Sequence, residues 1–409
     1  MLRTLAWQSL RSRKKTVVLT FLSLLVSISV LIAVEHLRAE AKESFNRSIS
    51  GTDLIVGAPS GDLNLLLYSI FRMGNPTNNI RFDSYEMLGK QKNVAWTIPI
   101  SLGDSHRGYR VLGTSDSYFT HFRYGEKRSL TFSNGQQFNN LFEVVLGAEV
   151  ATSLAYAIGD KIVISHGIGA TSFKNHDNAP FVIVGILEPT GTPVDKTVHV
   201  SLEAIEAIHL PPSKLNSIVE QQRFDLLKPT AITAALVGLD NKFATFTLQR
   251  KLNNYNDDRL MAVLPGVAMM QLWQLMGNIE NLLRVIAFLV LLSSLFGLTT
   301  MLIASMNERS IEIAVLRTLG ASPITIFQLI VYEAILIAIL AFLSACVLVS
   351  TSLMALSDWL ASTYGLFLSA NIFSQEVLIL GAFIFLAVVL AAIAPAIEAY
   401  KKALQAQLS

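Results

Sequence analysis

Four stretches of the chain run for about twenty positions without a charged residue: Thr16 to Val34, Val285 to Asn307, Ala334 to Ser357 and Val377 to Ile397. At a rise of about 1.5 Å per residue, each is long enough to cross the roughly 30 Å hydrocarbon core of a bilayer as a helix. The pattern predicts a membrane protein with spans at residues 16–34, 285–307, 334–357 and 377–397. Before the first span, Leu2, Leu5, Ala6 and Leu10 recur at helical spacing opposite Arg3 and Arg11. Residues 1–15 therefore read as a short amphipathic helix on the inner membrane surface.

The first two helices are predicted to continue past the lipid. After Val34 the text EHLRAEAKESFNRSI holds strong helix formers until Gly51. Before Val285, VAMMQLWQLMGNIENLLR does the same back to Gly266. Residues 35–50 and 266–284 are thus expected to be helical stalks. Gly266 to Asn307 measures about 60 Å if wholly helical, twice the hydrocarbon thickness. A kink at Gly277 is the alternative to one straight helix.

Between the stalks, residues 51–265 change texture. VAWTIPISL, YRVLGT, KIVISHG, PFVIVGIL and KTVHVSL read as short strands, being β-branched and bounded by Gly, Pro or Asp. EVATSLAYAIGDK reads as a helix ended by Gly159, and SLEAIEAI as one opened by Ser201. The expected fold is a four-helix membrane α-helical protein that carries a large α+β extracytoplasmic domain between helices one and two. The later stretch ITAALVGLDNKFATFTLQRKLNN, a strand then a helix, suggests a second subdomain packed on the first.

Charge sets the orientation. Arg3, Arg11, Arg13, Lys14 and Lys15 precede the first span without an acid, whereas residues 358–376 contain no basic residue. Both termini are therefore expected in the cytoplasm and residues 36–284 outside. The loop at residues 308–333 and the tail at 398–409 then lie inside, and residues 358–376 form a short outer loop. The first span also resembles a signal peptide, with Ala39-Glu40-Ala41 as a cleavage site. Its length and the charged Glu35, His36 and Arg38 favour a retained anchor instead.

Composition narrows the function classes. Only 15% of the 409 residues are charged, against about 25% in soluble domains. The net charge of +2 gives no ground for a nucleic-acid partner. The single cysteine, Cys346, lies in the third span, so no intramolecular disulfide or cysteine-based zinc site is expected. No GxxxxGK[ST], HExxH or GxSxG motif is present. The chain therefore reads as a non-catalytic subunit without a bound cofactor. Its seven histidines all fall in the outer segment. His166 with His176 and Asp177 is the one grouping that invites a metal reading, against scattered histidines of an ordinary domain. Glu333, at the inner edge of the third span, reads as snorkelling to the interface. Ser23 with Ser27, and Ser293 with Gly297, are small-xxx-small pairs that let helices approach, either within the chain or across a dimer seam.

The inner loop NERSIEIAVLRTLGASPITIF is the most informative segment. It predicts a helix from Glu308 to Leu319, a left-handed cap at Gly320, and a new helix with Ser322 as its N-cap and Pro323 at its first position. Ile311, Val315 and Leu319 make an apolar ridge flanked by Glu308, Arg309, Glu312 and Arg317. Such a ridge suits either a protein groove or a lipid surface.

Glu308-Arg309, Glu312-Ile313, Val315, Arg317 and the Leu319 to Ser322 sequence LGAS resemble the cytoplasmic loop of the MacB, LolC/LolE and FtsX permeases. These are the mechanotransmission, or type VII, ABC transporters. VVLGAEVATSLAYAIGDKIVI and FVIVGILEP are similar to that family's outer core. The stand-alone chain sits closer to LolC/LolE-like and unfused MacB-like permeases than to MacB, which carries a fused ATPase, or to FtsX, whose outer domain is much shorter. The C-terminal APAIEAYKKAL lacks the second proline common near the family's end. The resemblance implies that Glu308, Arg309, Ile311, Glu312, Val315, Arg317, Leu319 and Gly320 couple the chain to ATPases. It implies two copies of a separate ABC ATPase holding ATP and Mg, a second permease copy or paralogue, and a bacterial cytoplasmic (inner) membrane. A periplasmic adaptor or carrier would receive the cargo, such as a lipoprotein, peptide or small molecule. An FtsX-like signalling role toward a periplasmic or cell-wall partner is the alternative. An ion channel is disfavoured, since the spans hold almost no ionisable residues.

Overall fold

A computed structural model of the chain describes residues 13–166, 179–221, 223–308, 315, 318, 320–364 and 371–405. Its helices are α1 (Lys14–Arg47), α2 (Asp62–Ser69), α3 (Phe82–Gly89), α4 (Ser117–His121), α5 (Ala148–Ser153), α6 (Leu202–His209), α7 (Pro212–Glu220), α8 (Thr245–Asn253), α9 (Pro265–Glu308), α10 (Pro323–Tyr364) and α11 (Gln375–Gln405). The chain divides into two compact units. One holds α1 up to Ala41, α9 from Gly277, and α10 and α11; the other is built around residues 42–276.

Four helices, α1, α9, α10 and α11, are long and apolar enough to span a membrane. They enclose the predicted runs and extend beyond them. Helix α9 passes through Gly277 without interruption, so it does not end at the lipid surface and restart there. The helices pack through Leu24, Ile28 and Ile32 of α1, Leu291, Leu295 and Leu298 of α9, and alanines of the last two helices. Ala334, Ala338, Ala341 and Ala345 recur on one face of α10, and Ala392, Ala396 and Ala399 on one face of α11. Small side chains at this spacing let backbones approach where lipid provides no hydrophobic drive between helices.

The other unit is built on one eleven-stranded mixed sheet. Nine strands make its main path: β1 (Leu54–Gly57), β2 (Val94–His106), β3 (Tyr109–Thr114), β4 (Phe132–Gly135), β5 (Glu143–Leu146), β6 (Phe181–Leu187), β7 (Thr197–Ser201), β8 (Ala234–Leu239) and β9 (Met261–Val263). Their spatial order is β9-β1-β8-β2-β3-β7-β5-β6-β4. The long β2 joins two halves. Val94 to Ile100 pair with β8, while Ser101 to His106 pair with β3. The pairs β5/β6 and β3/β7 are parallel and the remaining pairs on the path are antiparallel. Both faces are covered: Ile55 and Leu236 enter one core, and Leu54, Val56, Ala235 and Val237 enter another.

Three expectations change. The late strand-helix unit does not begin a separate subdomain, because β8 pairs with β1 from the opposite end of the segment. EVATSLAYAIGDK is helical only as far as Ser153; Ala155 then takes a left-handed φ of 54°, which ends the helix before Gly159. KIVISHG splits into two-residue strands at Lys161–Ile162 and Ser165–His166. Between them the Val163 carbonyl bonds the His106 ring at 2.7 Å instead of a neighbouring strand. Ser201 does cap α6, accepting from the Ala204 amide at 3.1 Å.

The turn at Gly147 is the tightest test of this packing. A Cβ there would lie 2.3 Å from the Val194 carbonyl oxygen and 2.4 Å from that of Asp195. Gly147→Ala should therefore lose about 2 kcal/mol or more of stability by overpacking. Gly61→Ala, with φ of 90° but nothing within 4 Å, should lose only about 1 kcal/mol. Thermal unfolding of the two purified variants measures the difference, and equal losses would refute the backbone clash.

Candidate coupling site

The membrane unit pairs its few polar groups. Ser27 and Ser294, both buried, approach to 2.5 Å between hydroxyls, and Ser23 reaches Ser294 at 3.0 Å. This seam holds α1 against α9 through Ser294, one residue from the expected Ser293. Ser293 and Gly297 face outward from the chain. At the opposite side of the accounting, Glu333 is fully buried and pairs with Arg13 at 3.4 Å. The snorkelling expectation is thereby corrected, because a partner 320 residues away in sequence is available inside the packed helices.

Just outside spans one and two lies a charge quartet that the sequence reading did not assemble. Arg38 of α1 donates from Nε to Glu280 of α9 at 2.6 Å and from Nη1 to Glu35 at 2.7 Å. Arg284 of α9 donates from Nη2 to Glu35 at 2.9 Å. Two acids and two arginines thus alternate across the pair of helices. Their side chains are 17 to 43% exposed, so water screens them only in part. The signal was present as Glu35-Arg38 and Glu280-Arg284, acid before base at three- and four-residue spacing, bordering both spans. Beside the quartet, Leu31, Val34, Ala287, Ile379 and Leu380 wall a hollow of 330 Å³ whose rim includes Glu35, Arg284 and Glu376. Apolar walls under a charged rim suit an amphiphile.

Of the expected coupling residues, Arg309, Ile311, Glu312, Arg317 and Leu319 lie outside the described residues, as does the side chain of Glu308. Val315 is helical and 52% exposed, available to a partner. Gly320 has φ of 92° with open space around it, the left-handed conformation of a helix cap. Ser322 accepts from the Thr325 amide at 3.3 Å, and Pro323 opens α10.

The histidines take structural places. His106 bonds Val163 and Tyr156, His121 stacks on Trp96 with centroids 5.5 Å apart, and His199 lies in the middle of the sheet. Burial holds His106 below the usual imidazole range. No group of three His, Cys, Asp or Glu side chains suited to a metal occurs among the described residues. His176 and Asp177 lie outside them.

Two family descriptions match the chain. The MacB-like periplasmic core domain matches residues 17–240 and the FtsX-like permease C-terminal region matches residues 284–404. Among solved structures, the extracellular domain of the noncanonic ABC-type transporter YknZ from Gram-positive bacteria is similar at 11% identity. That match has a TM-score of 0.30 and covers 52% of this chain and 98% of the other, a likeness too low to carry an argument. A search of the curated proteins finds no match.

If the quartet binds α1 to α9, its pairing is worth about 1 kcal/mol across Arg38 and Glu280. Arg38→Glu and Glu280→Arg should each lower the thermal midpoint, and the double exchange should recover most of the loss. A double-variant cycle on the purified chain measures this, and additive losses would show that the two side chains do not interact.

Proposed function

Because the chain belongs to the MacB/FtsX-like family of ABC transporter permeases, we propose that it is a non-catalytic subunit that converts the ATP-driven closure of separate ATPases into work outside the membrane. The observation that carries this reading is that family matches fall on both the outer segment and the membrane segment of one chain. The subunit would sit in a bacterial cytoplasmic membrane with both termini inside and residues 36–284 outside. It would pair with a second copy or a paralogue, with Ser293 and Gly297 as outward-facing candidates for the seam, and would bind two ATPase subunits that hold ATP and Mg.

The coupling loop, residues 308–320, is the proposed contact with the ATPase. Closure there would pull on α9 and α10, and the quartet would carry the movement to α1. The work is export or extraction of an extracytoplasmic or membrane-derived substrate, such as a lipoprotein, peptide or small molecule, passed to a periplasmic adaptor or carrier. The amphiphile-sized hollow beside the quartet supports a membrane-derived substrate. The FtsX-like match of the C-terminal region supports a second reading, transmembrane regulation of a periplasmic or cell-wall partner. A neighbouring gene for an adaptor or outer-membrane channel favours export, and one for a wall hydrolase favours regulation.

Topology is tested with single cysteines at Ser60 and Ser310 in a Cys346→Ala background. On intact spheroplasts an impermeant thiol reagent should label the first and spare the second. The reverse pattern would invert the orientation.

The coupling loop is tested with two variants of different kinds. Val315→Asp places a carboxylate at the centre of an apolar contact, where desolvation costs several kcal/mol. It should abolish co-purification with the ATPase. Gly320→Val opposes the left-handed cap by about 1 kcal/mol or more and should leave binding partly intact while separating ATP hydrolysis from transport. Pull-downs and ATPase rates in nanodiscs read both, with the chain alone expected to hydrolyse no ATP. Normal association and turnover of Val315→Asp would place the loop on lipid instead.

A further inference from the structure

Arg72 and Arg110 of the outer unit make no ion pair with a carboxylate among the described residues. Arg72 follows α2 in a left-handed conformation, φ 57°, which a non-glycine residue rarely adopts. That geometry turns its side chain inward, where it donates to the Ser69 carbonyl while its buried Nε has no partner. Arg110, on β3, reaches the same place from the surface side and donates to the Gly74 carbonyl and to Asn75 at 3.2 Å. The two guanidinium groups lie within electrostatic range of each other, and no carboxylate of the described residues pairs with either. Burial, then mutual repulsion, holds Arg110 below its usual range.

Behind Arg72 the polar groups are also incompletely satisfied. Tyr118 and His199 are both fully buried, with ring centroids 5.2 Å apart. The Tyr118 hydroxyl faces the Arg72 guanidinium without a hydrogen bond of good geometry, and Nε2 of His199 has no partner. Nδ1 of His199 donates to the Val145 carbonyl at 3.3 Å, which fixes the neutral tautomer. Burial, with Arg72 beside it, pushes that imidazole down to about 3, so His199 adds no charge at neutral pH. Asp195, the acid within electrostatic range of Tyr118, is occupied by the amides of Thr190 and Gly191 and by the Thr190 hydroxyl.

An arginine does not deprotonate in a protein, so this cluster carries two positive charges, one of them desolvated. A desolvated cation is tolerated when a counter-charge accompanies it. We propose that Arg72 and Arg110 together bind an oxyanion, a phosphate or a carboxylate, free or as part of a larger ligand, beside Gly74 and Asn75 near the start of β3. The planar guanidinium fork matches the paired oxygens of either group. The site lies wholly within the outer unit and does not depend on the transport or regulatory reading.

Thermal unfolding of the full chain in detergent, followed by tryptophan fluorescence, tests this with inorganic phosphate and acetate as probes and chloride at matched ionic strength as control. In the wild type at least one probe should raise the midpoint by several degrees in saturating fashion, and calorimetric titration should give one site per chain. A response to phosphate alone assigns a phosphoryl ligand; a response to acetate alone assigns a carboxylate. Arg72→Gln should abolish the response and match or exceed the wild type in chloride, because it removes a desolvated charge that has no acid beside it. Arg110→Gln, half-buried near the start of β3 and expected to fold normally, should weaken binding about tenfold. No response to either probe in the wild type, or an unchanged response in Arg110→Gln, would overturn the proposal.

Discussion

A polar group taken out of water has to be matched by another, and this chain meets that requirement differently along its length. Inside the hydrocarbon no water can serve the backbone, so the four apolar runs become unbroken helices whose amides bond within each segment. Some polar side chains among them are matched across helices, Ser27 with Ser294 and Arg13 with Glu333, and others bond back to their own helix, as Thr20 does to the Thr16 carbonyl. At the outer border of the runs, where charge is tolerated, the matching becomes an alternation of Glu35, Arg38, Glu280 and Arg284. In the outer unit the sheet ladder takes over the backbone, and side chains such as Asp195 close the loops that the ladder leaves open. Arg72 and Arg110 are where the matching stops short, and for that reason they draw the inference of a ligand.

The membrane half was legible because its signals are local. An uncharged run announces a span by itself, and Gly320, Ser322 and Pro323 announce a helix break within four residues. The two long helices were legible too, since helix formers continue past Val34 and before Val285. The sheet was only partly legible. Strands β1, β5 and β8 are covered on both faces, so their sequences read as continuous apolar text and lose the alternation that marks a half-exposed strand. Nothing local in Leu54 to Gly57 says that its neighbours are Ala234 to Val237 and Met261 to Val263. Glu333 shows the same limit for a side chain: the run displayed one acid at its edge, and the partner that buries it lies at the other end of the chain. The oxyanion cluster depends on Arg72, Arg110, Tyr118 and His199 converging from four separate elements, which no spacing rule reports.

The quartet and Gly277 divide the labour along α9. Glu280 and Arg284 tie this helix to α1 at the border of the membrane runs. Gly277, three residues before Glu280, is half-buried, and a Cβ there would meet nothing within 4 Å. A glycine at an open helical position costs about 1 kcal/mol relative to alanine and offers no packing in return. The helix nevertheless passes through it unbroken. The softest point of α9 therefore falls between the quartet and Pro265, where the chain leaves the sheet.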